Sequence, residues 1–229
     1  MRTKALLCAA GLLAVGAVSA MAQSNVYSLN VVGYIQVPLT NGFNLIANQM
    51  DLDGNRTNNT VQGVFSTNFP NLTKVYGYNA AAGTFGIATY FSASSTWSGG
   101  QPSVNNSLSP GSGVWVQIPG SAGTPTPLTL TEVGNVAQGS FTLPVASGFQ
   151  IMSLVPPIQK LIKTDFGYPA ANLDKVYQYN AVSRAFTIHT YFSASGTWTG
   201  GGEPNPAVGE AFWLQSTGAK SWTQSFTVQ

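Results

Sequence analysis

The sequence predicts an all-β fold of two tandem homologous antiparallel units, sandwich-like or sharing one pseudo-symmetric barrel, with at most one short helix per unit. Three observations predict it. TYFSASSTWSGG at residues 89–100 returns as TYFSASGTWTGG at residues 190–201, so one block is written twice. The composition, 7% charged and 11% aromatic with 25 glycines, is that of a packed β protein and opposite to that of a disordered chain. Short apolar runs of period two, separated by Gly, Asn and Ser, then recur through both halves.

Each unit opens with two such runs. Tyr34 to Leu39 and Phe43 to Ala47 flank Thr40-Asn41-Gly42, and Ser140 to Val145 and Phe149 to Leu154 flank Ala146-Ser147-Gly148. Apolar runs around an NG-type turn predict a β-hairpin. The next segment differs most between the halves. Met50 to Asn59 is a polar loop, whereas Ile158, Leu161 and Ile162 have helical spacing, which predicts a short helix at 158–165 and gives weaker support for one at 60–66.

A second hairpin follows in each unit. Val75-Tyr76-Gly77-Tyr78-Asn79 leads into a strand at Phe85 to Phe91, and Val176-Tyr177-Gln178-Tyr179-Asn180 into one at Phe186 to Phe192. A Gly-rich loop follows Trp97 and Trp198, and strands at Gly113 and Ala211 close the units. Leu128 to Gly134 matches Tyr27 to Gly33, and its first half matches Phe226 to Gln229. A spare copy of this boundary strand is a candidate for pairing between molecules.

Residues 1–22 read as a secretory signal: Arg2 and Lys4, an apolar run from Ala5 to Val18, and an Ala20-Met21-Ala22 cleavage site. This divides the chain into a leader (1–22), a first unit with its leading strand (23–133) and a second unit (134–229). The product is expected to be exported to the cell surface, the extracellular space or the periplasm, and no stretch predicts a transmembrane helix. Cys8, the one cysteine, lies in the leader, so disulfides and thiol chemistry are not expected. Without Arg2 and Lys4, nine basic residues become seven against seven acidic ones. A neutral chain with no basic stripe is not expected to bind nucleic acid.

The matching blocks Gly42-Phe43 with Leu45-Ile46, Val75-Tyr76 with Tyr78, and Gly111, Gly113 and Trp115 return as Gly148-Phe149, Val176-Tyr177 with Tyr179, and Gly209-Glu210 with Phe212-Trp213. This pattern resembles a widespread class of functionally uncharacterised exported bacterial β-repeat proteins. The resemblance covers nearly all of the mature chain. It implies a β fold and export, and it carries over no catalytic residues.

Enzymatic chemistry finds little footing. His189, the only histidine, has Ala88 as its counterpart, and no GxSxG is present. The carboxylates with most to offer a glycosidase pair are Glu203 and Glu210, with Asp165 or Asp174 as others, yet Glu210 matches Ser112 in the first unit and no acid matches Glu203. Asp51 to Asn55 begins like a calcium loop but lacks the distal glutamate, so a solvated turn is expected. Sequons at Asn58, Asn71 and Asn105 read as polar loop positions. No enzyme activity, cofactor or metal is therefore expected. The expected role is that of a non-enzymatic structural or adhesion protein of the cell surface or matrix, acting through its repeat surface or by strand pairing between molecules, so that its partner is a second copy through the boundary strand or a polysaccharide.

The alternative is a carbohydrate-binding module. Its candidates for sugar stacking are Tyr76, Tyr78, Tyr90 and Trp97 with their copies Tyr177, Tyr179, Tyr191 and Trp198, assisted by Asn79 and Asn180. Against it stands the need of a cysteine-free unit for large core side chains.

Overall fold

The computed structural model describes residues 31–65, 68–99 and 108–228. The leader, the boundary segment before Val31 and the Asn105 sequon lie outside the described residues. Fourteen strands and one four-residue helix are found among the described residues. In chain order these are β1 (Val32–Thr40), β2 (Gly42–Ala47), α1 (Val61–Val64), β3 (Lys74–Asn79), β4 (Thr84–Phe91), β5 (Thr96–Gly99), β6 (Gly113–Ile118) and β7 (Pro125–Asn135). The second unit contributes β8 (Gly139–Val145), β9 (Gly148–Met152), β10 (Lys175–Asn180), β11 (Ala185–Phe192), β12 (Thr197–Thr199), β13 (Phe212–Ser216) and β14 (Lys220–Phe226).

Each unit is a five-stranded antiparallel sheet covered on one face by a two-stranded ribbon. The sheets have the orders β2-β6-β3-β4-β5 and β9-β13-β10-β11-β12, and the ribbons are β1-β7 and β8-β14. Strand alternation explains the layering. Val75, Ala88 and Tyr90 point from the first sheet toward Ile35, Val37, Leu39 and Leu130 of its ribbon, and all are buried in one cluster. In the second unit Val176, Tyr191, Phe212 and Leu214 meet Leu143, Val145 and Trp222. This is the expected all-β, two-unit architecture, in its sandwich-like form.

The second hairpin of each unit forms as expected, with Tyr76 opposite Ile87 in one and Tyr177 opposite Ile188 in the other. The first does not. β1 pairs with β7 and β2 with β6, so the Asn41-Gly42 segment is a corner where the chain leaves the ribbon and enters the sheet. A buried amide side chain fixes that corner in both units. Asn44 accepts from Thr40 N at 2.9 Å and donates back to Thr40 O at 2.8 Å, and Gln150 does the same for Ala146 N and O at 3.2 and 3.4 Å. Its backbone needs are met locally, so the turn imposes no pairing on the strands it joins.

The helix expected at 158–165 is also corrected: that segment is a turn, and the helix lies in the first unit. At α1 the Thr60 hydroxyl accepts from Gly63 N at 3.2 Å, an N-cap. In the second unit Pro156 and Pro157 precede the segment, and carboxylates take its amides instead. Asp165 accepts from Leu161 N at 2.9 Å, and Glu203 accepts from Lys163 N and Thr164 N, both at 2.6 Å.

The third correction concerns the boundary strand. Ile35 faces Glu132 across the first ribbon and Phe141 faces Gln224 across the second, which makes β14 the counterpart of β7 and pairs Glu132 with Gln224. Phe226 only ends β14, so the C-terminal copy is 220–226 rather than 226–229.

The units join through reciprocal contacts that follow a pseudo-twofold axis. Ala47 N donates to Gly209 O at 3.0 Å and Ala211 N to Leu45 O at 3.3 Å, while Ser153 N donates to Gly111 O at 3.0 Å. The isolated bridges Ile46 to Glu210 and Ser112 to Met152 are the two halves of one arrangement. A Cβ on Gly113 would lie 2.3 Å from that of Ala211, its counterpart, so the joint accepts a methyl from one unit only. Edges β2 and β9 are thereby covered, and the opposite edges β5 and β12 are four and three residues long.

Candidate functional site: an aromatic face shared by two sheets

The sheet face turned away from each ribbon carries its side chains in rungs that run across the strands. In the first unit one rung is Leu45, Trp115, Tyr76 and Ile87, and the next is Phe43, Gln117, Lys74, Thr89 and Ser98. The second unit repeats both, as Ile151, Trp213, Tyr177 and Ile188 beside Phe149, Gln215, Lys175, Thr190 and Thr199. An apolar rung thus lies against a polar one, twice. Phe85 and Phe186, opposite Tyr78 and Tyr179, complete the face and are 43% and 44% exposed.

Where the sheets meet, each lends a tyrosine to the other. Trp115 packs edge-on against Tyr179 at 4.8 Å between centroids, and Trp213 against Tyr78 at the same distance. Two clefts result. Phe43, Tyr76, Phe85 and Trp115 with Tyr179 enclose about 420 Å³. Phe149, Tyr177, Phe186, Ile188 and Trp213 with Tyr78 enclose about 410 Å³. Their walls are aromatic edges and faces. The Tyr76 hydroxyl donates to Gln117 Oε1 at 2.6 Å and that of Tyr177 to Gln215 Oε1 at 2.8 Å, which ties the two rungs together. Burial raises the pKa of both phenols, so they remain protonated donors at neutral pH.

The eight residues singled out from the sequence therefore divide. Tyr76, Tyr78, Tyr177 and Tyr179 stand on this face. Tyr90, Tyr191 and Trp198 are buried in the two cores, and Trp97 packs against Phe65 and Phe69. Both indoles sit in or against the cores and line neither cleft, so they offer no stacking surface to a ligand there. Asn79 and Asn180 do not reach a ligand through Oδ1, which accepts from the turn amides of Ala81 and Ala82 in one unit and of Val182 and Ser183 in the other.

Sequence reasoning missed Phe43, Phe85, Trp115 and their copies. The missing signal was parity: Phe85 and Ile87 alternate with Gly86, Ala88 and Tyr90, so Phe85 and Tyr90 must point to opposite faces.

The acidic candidates are occupied elsewhere. Glu203 holds the 163–164 turn, and Asp174 is buried against Lys220. Glu210 accepts from Gln178 Nε2 at 2.9 Å and Ala207 N at 2.8 Å, and burial raises its pKa. In the calcium-like loop Asp51 accepts from Arg56 N and Asn59 Nδ2, both at 2.9 Å. Asp53 accepts from Asn55 N and the Thr57 hydroxyl, and the Thr57 hydroxyl chiefly holds its carboxyl well below the usual range. Each of these four carboxylate oxygens serves the turn itself.

Comparison with family models, with curated proteins and with solved structures gives no match.

Proposed function

We propose that the chain is a non-enzymatic, exported surface or matrix protein that adheres to glycan through the aromatic face. The observation that carries this reading is the duplicated pair of rungs, in which half-exposed rings lie beside a row of Gln, Lys, Thr and Ser side chains. A sugar ring is amphipathic in the same sense: its C–H face stacks on an aromatic ring while hydroxyls at its edge seek donors and acceptors. The two clefts are related by the pseudo-twofold axis, and a polymer engaging both would gain avidity without new contacts.

Tryptophan fluorescence tests the reading, because Trp115 and Trp213 wall the two clefts. Soluble oligosaccharides from cellulose, chitin, xylan and amylose are titrated into the protein. At least one series is expected to shift the emission, with affinity rising with chain length until both clefts are spanned. Unchanged emission with every series counts against the proposal.

A second reading, self-association through the leading strand, is favoured by a different observation. Val32, Tyr34 and Val133 form an exposed apolar strip on the β1-β7 ribbon, at the start of β1. Sedimentation velocity on residues 23–229 and 31–229 tests it. Concentration-dependent polymers from the longer form alone are its expected result, and monomers from both exclude it.

A further inference from the structure

The units differ at one place where their symmetry would make them alike. Gly77, Gly86, Ala88 and Ser112 of the first unit are matched in the second by Gln178, Thr187, His189 and Glu210. Four small residues have become four hydrogen-bonding ones, and they converge. Together with Asn180 and Gly201 they line a cavity of about 300 Å³, at the lower end of the size range for small-molecule sites. The side chains of Gln178, Thr187 and His189 alternate with those of Tyr179, Phe186 and Ile188, so the cavity lies on the opposite side of the sheet from the aromatic face.

Within this cavity His189 is held but not satisfied. It is 4% exposed, and its Nδ1 lies 2.8 Å from Gly202 O, a carbonyl that can only accept, so Nδ1 carries the proton. Its Nε2 is buried with no hydrogen-bond partner. An unmet buried polar atom is destabilising, and on a residue that lines a cavity a bound group can meet it. Glu210 is the second polar wall, with its oxygens engaged by Gln178 Nε2 and Ala207 N.

We propose that this cavity binds one neutral sugar ring, as a subsite separate from the aromatic clefts, with a ligand hydroxyl bonded to His189 Nε2. The chemistry points to a polyol. An unmet imidazole nitrogen, the Thr187 hydroxyl and the remaining lone pairs of Glu210 line one small space, and a ligand bearing several groups that both donate and accept matches them. The ligand chemistry deepens the glycan reading, but the site stands on its own residues.

The test uses the one histidine in the chain, whose ring nitrogens give an unambiguous pair of ¹⁵N resonances. Glucose, galactose, mannose and N-acetylglucosamine are titrated separately. At least one is expected to move the Nε2 resonance saturably, and no movement with any of them overturns the proposal. His189→Ala installs the residue that the first unit carries at this position, so it is compatible with the fold. Affinity for the responding sugar, followed by calorimetry, is expected to fall about tenfold or more, in keeping with loss of one hydrogen bond in a buried site.

Thr187→Gly and Glu210→Ser, again the residues of the first unit, are expected to weaken binding as well. Undiminished affinity in all three variants overturns the assignment. A preference for glucosamine over glucose overturns the neutral-ligand assignment in favour of an ammonium. Trp213→Ala distinguishes the two sites: the His189 response survives it if the cavity is separate and disappears if the clefts are the true site.

Discussion

Glu132→Gln is expected to stabilise the protein, and to do so more as pH rises. Glu132 lies on β7, 2% exposed, where its Oε2 accepts weakly from Gln49 N at 3.4 Å and its Oε1 has no partner. Burial pushes its carboxyl up from 4.5 to about 8. The sign follows from proton counting. Between pH 4.5 and 8 the folded state holds a proton that the unfolded state has released, so stability is full below 4.5 and declines until the folded pKa is passed.

At about 1.4 kcal/mol per pH unit, the upper limit of the loss is about 3 kcal/mol at pH 7 and about 5 kcal/mol at pH 8. Glutamine keeps the acceptor for Gln49 N and removes the titration. The second unit supports the choice, since its counterpart Gln224 accepts from Val155 N at 2.9 Å. Urea denaturation of both forms at pH 4.5, 6, 7 and 8 is the measurement. Curves that run parallel across this range would contradict the account.

The position matters because Gln49 is the tie between the units. Its side chain donates to Leu154 O at 3.2 Å and Pro156 O at 2.9 Å and accepts from Gly209 N at 2.7 Å. Ionised Glu132 is therefore an uncompensated buried charge beside the residue that joins the two halves, and the aromatic clefts depend on that joint because each takes a tyrosine from the opposite sheet.

The largest loss is expected from Asp174→Asn. Five donor groups converge on this buried carboxylate: Lys220 Nζ at 2.5 Å, Tyr168 Oη at 2.8 Å, Thr217 N at 2.8 Å, and Ala171 N and Thr217 Oγ1, both at 2.9 Å. Asparagine offers one acceptor in place of two and leaves the ammonium without a counter-charge. Breaking a buried pair from one side costs about 3–5 kcal/mol. Burial on its own would raise the Asp174 pKa, but the converging donors, the Ala171 amide and Lys220 foremost, hold it below the ordinary value. The sign is thus opposite to that of Glu132: this contribution is present above the unfolded value of 3.8 and is lost as the pH falls. Melting at pH 6.5 is expected to show the full deficit of the variant, and melting near pH 3 a smaller one. An equal deficit at both would show that the charge is not what stabilises the site.

How far the sequence reveals this molecule depends on whether a signal is local. Alternation and turn chemistry at Val75 to Phe91 and at Val176 to Phe192 are local, and those hairpins form. The corners at Gly42 and Gly148 look like hairpins over ten residues, yet the partner of β1 is about 100 residues away and that of β2 about 70, and what decides is the side-chain clip of Asn44 or Gln150. The C-terminal boundary strand was misplaced because Leu130 and Trp222 do not resemble each other, although register makes them counterparts. Half of the candidate aromatics were legible because Tyr76 and Tyr78 share a parity. Trp97 and Trp198 looked like ligand residues because core and surface both retain large rings, and sequence repetition alone does not separate them.

The measurement that tests the central claim most directly is affinity electrophoresis of the native protein and the Phe85→Ser, Phe186→Ser double variant through gels containing each polysaccharide. Both phenylalanines are half-exposed on the shared face, so the substitutions remove stacking surface with little effect on the cores. The account predicts retardation of the native protein by at least one polysaccharide, and migration of the double variant at its unretarded rate with an unchanged melting temperature. Equal retardation of the two forms would contradict it, and so would retardation by none of the polysaccharides.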